Sequence, residues 1–146
     1  MNVLHPVRLT KKDSCFTYAL KRTGLTVSYD KAESIPTDCL IPFDLYNTNI
    51  GDIIVWESSK KLYSLLPTEI TSFNGKPVIM NNLEFTGYHL AVVENIIDTE
   101  KEIILIFSDC VRNENAHSFP SIKLGQININ KTIEKEYNLP SYTFIP

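Results

Sequence analysis

The sequence predicts an α+β domain in which one N-terminal helix, carrying a cysteine, packs on an antiparallel β-sheet. Helical spacing of apolar residues is confined to one capped stretch near the start, "KKDSCFTYALKRTGL". The second half of the chain reads instead as β-branched and aromatic runs broken by turn signals. At 146 residues the chain is most simply one domain, spanning 1–146, long enough to bury a core without staples.

The elements follow in order. Asp13 or Ser14 can accept a hydrogen bond from a free backbone N–H and start the helix. Phe16, Ala19, Leu20 and Thr23 recur at helical spacing, Lys21 and Arg22 occupy the last turn, and Gly24 ends it. A polar, proline-bearing connection comes next, with a short helix expected near Asp38 to Tyr46. "NIGDIIVWESS" has a turn at Asn49–Gly51 and then a strand. "KKLYSLLPTEITSFNGKPVIMNNLEF" reads as hairpin material around Asn74–Gly75. "GYHLAVVENII" and "EIILIFSD" are two strands joined through Asp98–Thr99–Glu100, an antiparallel hairpin. "SFPSIKLGQININ" offers one more strand, and "KTIEKEYNL" a helical turn before a proline-flanked tail.

Composition excludes several classes. The net charge is −3 with Lys and Arg scattered, so no basic stripe suggests nucleic acid or an anionic membrane. "MNVLHPVRLTKKD" lacks the apolar run of a secretory signal, which implies a chain made in the cytoplasm. Nothing approaches the roughly 20 apolar residues of a membrane span. The cysteines, Cys15, Cys39 and Cys110, are odd in number and without paired spacing, which suits a reducing compartment rather than a disulfide framework. There is no CxxC or HExxH, and the spacing of His5, His89 and His117 suggests no shared metal. No cofactor is expected.

The chemistry concentrates in three residues. Cys15 falls in the first turn of the helix, where the dipole favours a negative charge. A cysteine there also reads as a small buried apolar residue. Strand alternation puts His89 on one face with Ala91 and Val93, and Asp109 at the end of the stripe Ile103, Leu105, Phe107. An acid on the strand beside a histidine orients the imidazole and fixes its tautomer. With Cys15 opposite His89, the trio is thiolate, imidazole and orienting acid.

Those residues carry a resemblance. "GYHLAVVEN" resembles the histidine strand of CHAP domains (cysteine, histidine-dependent amidohydrolase/peptidase) and of the related NlpC-type cell-wall peptidases. "DSCFTYALKRTGL" resembles their cysteine-bearing helix, and "NIGDIIVW" their Gly-Asp strand. The resemblance runs from Lys11 to Asp109, with Ser14 splitting the usual Asp-Cys pair and a long stretch between Glu57 and Gly87. It implies a papain-like fold and a Cys15–His89–Asp109 triad. Ser108, Asn113 and His117 stay open as alternatives for the third position. It further implies a hydrolase of peptidoglycan peptide or amide bonds, carried by other proteins of a phage tail or baseplate. A non-catalytic tail component that keeps the peptidase fold is the competing expectation, and a cytosolic acyltransferase or deubiquitinase-like enzyme would use the same chemistry.

Overall fold

A computed structural model describes residues 3–58, 70–73, 76–78, 87–111, 119–132 and 139–146. One α-helix, α1 (Cys15–Thr23), opens the fold. Its N-cap is Ser14: the hydroxyl accepts from Thr17 N at 3.2 Å, and Thr17 Oγ1 accepts from Ser14 N at 2.8 Å. That reciprocal box satisfies two of the groups a helix start leaves orphaned. Asp13, the other candidate cap, is buried and braces the turn from outside. Its carboxylate accepts from Thr10 N at 2.7 Å, Thr17 Oγ1 at 2.8 Å and Lys21 Nζ at 2.8 Å. Burial pushes its carboxyl pKa up, but these bonds outweigh that and hold it below the usual value. Gly24, at φ +72°, closes the helix in the left-handed region that favours glycine.

The strands are β1 (Leu40–Pro42), β2 (Ile53–Ser58), β3 (Ile70–Phe73), β4 (Lys76–Val78), β5 (Gly87–Asp98), β6 (Glu102–Val111), β7 (Ser121–Asn130) and β8 (Tyr142–Phe144). Six form one antiparallel sheet in the order β1-β8-β2-β5-β6-β7, and β3 pairs with β4 around residues 74–75 as the turn signal suggested. Gly51, at φ +89°, makes the turn that delivers β2. The helix expected near Asp38 to Tyr46 is not there. Two 3₁₀ turns, Thr37–Cys39 and Leu45–Asn47, flank the short strand β1 instead. Pro42 lacks an N–H and disfavours helical geometry at Ile41, so that stretch extends and pairs with β8. β8 itself lies in the proline-flanked tail, where no strand was expected. The helical turn expected in "KTIEKEYNL" falls mostly outside the described residues.

The sheet is apolar on both faces. α1 covers one, where Phe16, Tyr18 and Ala19 meet Ile53, Val55, Leu90, Val92 and Cys110. The opposite face gathers Ile54, Ala91, Val93, Leu105 and Phe107, with Trp56 against them. Gly125 on β7 is required there by close approach. A Cβ at that position would stand 2.5 Å from Phe107 Cζ and 2.6 Å from Cε2. Gly125→Ala is therefore expected to cost about 1–3 kcal/mol by overpacking, read as a lower urea midpoint at unchanged slope.

Two irregularities open one end of the sheet. β5 bulges between Val93 and Asn95, which makes Glu94 an extra residue with no counterpart on β6. The β5–β6 ladder runs from Asp98↔Ile103 to Val92↔Ser108, and among the described residues the two strands do not pair beyond that rung. Each still pairs with its outer neighbour, Gly87–Val92 with β2 and Ser108–Val111 with β7. The sheet therefore forks at this end, and the fork is where the polar chemistry lies.

Candidate active site

His89 stands on the β5 arm of the fork and Asp109 on the β6 arm. Their side chains bridge the opening, His89 Nε2 to Asp109 Oδ2 at 2.8 Å, with 8% and 3% of the side chains exposed. As alternation required, both belong to the face of Ala91, Val93, Leu105 and Phe107. α1 covers the other face, so a continuous sheet would separate its cysteine from this histidine. The fork removes that obstacle. Cys15 starts the helix at the opening, with Sγ 4.0 Å from the Tyr88 carbonyl oxygen, and its thiol lies close enough to the His89 ring to act on its titration. The structure brings all three sequence-expected residues together.

Burial alone would disfavour a charged imidazole. The hydrogen bonds to Asp109 and Cys15, and the negative charge of both, outweigh it and push the His89 pKa up to about 9. The ring is thus held protonated at neutral pH between a carboxyl group and a thiol. A thiol set beside an imidazole in this way is the arrangement used to activate a sulfur nucleophile. The Cys15 and Phe16 N–H groups lie in the first turn, where the helix has no carbonyl for them. They are donors for an anion forming beside Sγ.

Of the other candidates for the third position, one lies among the described residues. Ser108 points to the helix face, where its Oγ lies 2.7 Å from Tyr18 Oη, away from His89. Asn113 and His117 fall outside the described residues. Sequence reasoning missed Trp56, whose indole lies 6.3 Å from the His89 ring and 5.1 Å from Phe107, centroid to centroid. Strand pairing sets Trp56 directly against His89, a cross-strand partner invisible before the register is known. It also missed Glu94, whose signal was a lone carboxylate inside the apolar run "LAVVENII".

Trp56 is the only tryptophan in the chain, which makes it a reporter. An imidazolium quenches a neighbouring indole more than neutral imidazole does. Emission is expected to rise as pH passes about 9, where His89 loses its proton. The step should vanish in His89→Gln, checked by fluorescence titration of both proteins.

The described residues form an α+β fold with one α-helix and a six-stranded antiparallel sheet, in which a buried His–Asp pair lies beside a partly buried cysteine. No family model, no curated protein and no solved structure matches the chain. Among the described residues no group of His, Cys, Asp and Glu is arranged to hold a metal, and no helix is long and apolar enough to cross a membrane.

Proposed function

We propose that this chain is a papain-like cysteine peptidase or amidase in which Cys15 is the nucleophile, His89 the acid–base and Asp109 the orienting acid. One observation carries the reading. His89 is buried, meets the Asp109 carboxylate at 2.8 Å and lies beside the Cys15 thiol, with its pKa raised to about 9. Burial combined with specific charge partners is how active sites shift the titration of their acid–base groups.

The chemistry runs through these groups. The Cys15 thiolate attacks an amide carbonyl, and the oxyanion takes hydrogen bonds from the first-turn N–H groups, each contributing about 3 kcal/mol to the transition state. His89 gives its proton to the leaving amine. The neutral ring then takes a proton from water, which hydrolyses the thioester and returns Cys15 to its pair with His89. The substrate class rests on the resemblance to CHAP and NlpC-type domains: peptide or amide bonds of peptidoglycan, with delivery by a phage tail or similar assembly. The competing role is a tail component that keeps the arrangement without turnover.

Alkylation by iodoacetamide, read cysteine by cysteine in one mass spectrum, tests the pair. All three cysteines are free thiols, with Cys110 buried. Cys15 is expected to react fastest below pH 7 and to slow at least tenfold in His89→Gln. Release of soluble fragments from purified peptidoglycan, lost in Cys15→Ala, then supports the substrate class. A Cys15 that reacts no faster than Cys39 and ignores His89 removes the enzymatic reading. A reactive Cys15 that releases no wall fragments moves the search to other amides.

A further inference from the structure

At the crotch of the fork, on the helix face, four side chains from three elements form one hydrogen-bond chain. Arg22 grips Glu94 with both ends of its fork, Nη2 to Oε1 at 2.6 Å and Nε to Oε2 at 3.0 Å. Ser108 Oγ donates to Glu94 Oε2 at 2.8 Å, and Tyr18 Oη lies 2.7 Å from Ser108 Oγ. The protons have one arrangement. Burial raises the Glu94 pKa, but Arg22 and Ser108 outweigh it and keep the carboxyl below its usual value. An ionised Glu94 only accepts, so the single Ser108 hydrogen goes to it, and Ser108 in turn accepts from Tyr18. Within the chain the donors point toward Glu94, while Arg22 Nη1 donates to the His5 carbonyl at 3.0 Å.

The placement is specific. Tyr18 and Arg22 follow Cys15 by three and seven positions, which puts them on its side of α1. Ser108 is the last residue of β6 to pair with β5, immediately before Asp109, and Glu94 is the bulge residue of the strand that carries His89. The chain thus ties the helix of the thiol to both arms of the fork beside the point where they part. The Arg22–Glu94 pair is partly exposed, with 25% and 17% of the side chains open to solvent, so what it contributes is less net stability than a fixed registry of the elements it joins. A slide of α1 by one residue, about 1.5 Å, would break the Tyr18–Ser108 bond and draw Sγ away from the imidazole.

We infer that Tyr18, Ser108 and Glu94 are positioning residues: anchored by Arg22, they set the seat of α1 on the forked sheet and so the alignment of Cys15 with His89. This rests on the proposed Cys15–His89 pair and extends it to groups that do not touch the reacting atoms.

Tyr18→Phe and Ser108→Ala change no formal charge, so an altered pH profile in either reports geometry rather than charge. Two readouts are taken in the intact protein, the pH–rate profile of Cys15 alkylation by iodoacetamide and the Trp56 fluorescence titration. Ile103→Val, a buried site at the far end of the β5–β6 hairpin, controls for lost stability. Ser108→Ala is expected to slow alkylation at pH 6 at least tenfold and to lower the fluorescence midpoint. Tyr18→Phe should do the same by threefold or more, and Ile103→Val should leave both curves in place. Should Ser108→Ala not fold, Tyr18→Phe, which keeps the ring, carries the test. Network variants that unfold more easily yet keep the wild-type profile overturn the inference, provided His89→Gln still shifts it. A wild-type profile that His89→Gln does not shift overturns the pair itself.

Discussion

His89→Gln is expected to fold and to lose amide hydrolysis on the order of 10⁴-fold, near the upper end of what acid–base removal costs. The effect is large because in the proposed mechanism one ring serves two steps: its positive charge supports the thiolate, and its proton leaves with the amine. The glutamine amide can still donate to Asp109, so the buried carboxylate keeps a partner. His89→Ala removes that partner and leaves Asp109, with 3% of its side chain exposed, as a lone buried charge. That variant should lose about 3–5 kcal/mol of stability as well. Asp109→Asn is milder, since its amide oxygen still accepts from Nε2 and holds the ring. Asp109→Ala should fall between Asp109→Asn and His89→Gln. Activity measured as kcat/KM, beside urea melts of the same proteins, separates the two kinds of loss. His89→Gln retaining activity within tenfold of wild type would rule the ring out as the acid–base.

That ordering depends on a geometry only partly legible in the sequence. Alternation along "GYHLAVVEN" and "EIILIFSD" placed His89 and Asp109 on one apolar face, because side-chain period in a strand is a local property. The same holds for the capped start of α1 around Ser14. Which face α1 covers is not local. It follows from Leu90, Val92, Ser108 and Cys110 turning toward Tyr18 and Ala19, and from the fork that lets Cys15 reach a ring on the other side. A ladder that stops at Val92↔Ser108 leaves no mark in composition. Nor does a bulge at Glu94, although a carboxylate amid Val92, Val93 and Ile96 signals that something must neutralise it. β8 was hidden for another reason. A three-residue strand within the five residues between Pro140 and Pro146 forms only when β1 and β2 offer their edges.

The pH dependence of turnover should carry the sign of the His89 shift. A raised pKa extends the protonated ring upward in pH, to about 9. Below that value His89 has a proton to give the leaving amine, and above it the acid is lost. Cleavage of an amide is therefore expected to hold through neutral and mildly alkaline pH. It should then fall about tenfold per pH unit beyond pH 9. Alkylation of Cys15 needs no such proton and should show no decline there. The separation of the two curves is the diagnostic. An activated ester, whose leaving group departs unprotonated, should follow the alkylation curve instead of the amide curve. In Asp109→Asn the carboxylate charge that supports the imidazolium is gone, so the alkaline limb for the amide should move to lower pH while its slope stays the same. An amide limb that stays near pH 9 in Asp109→Asn would mean that the Cys15 thiolate alone sustains the imidazolium, with Asp109 serving only to aim the ring.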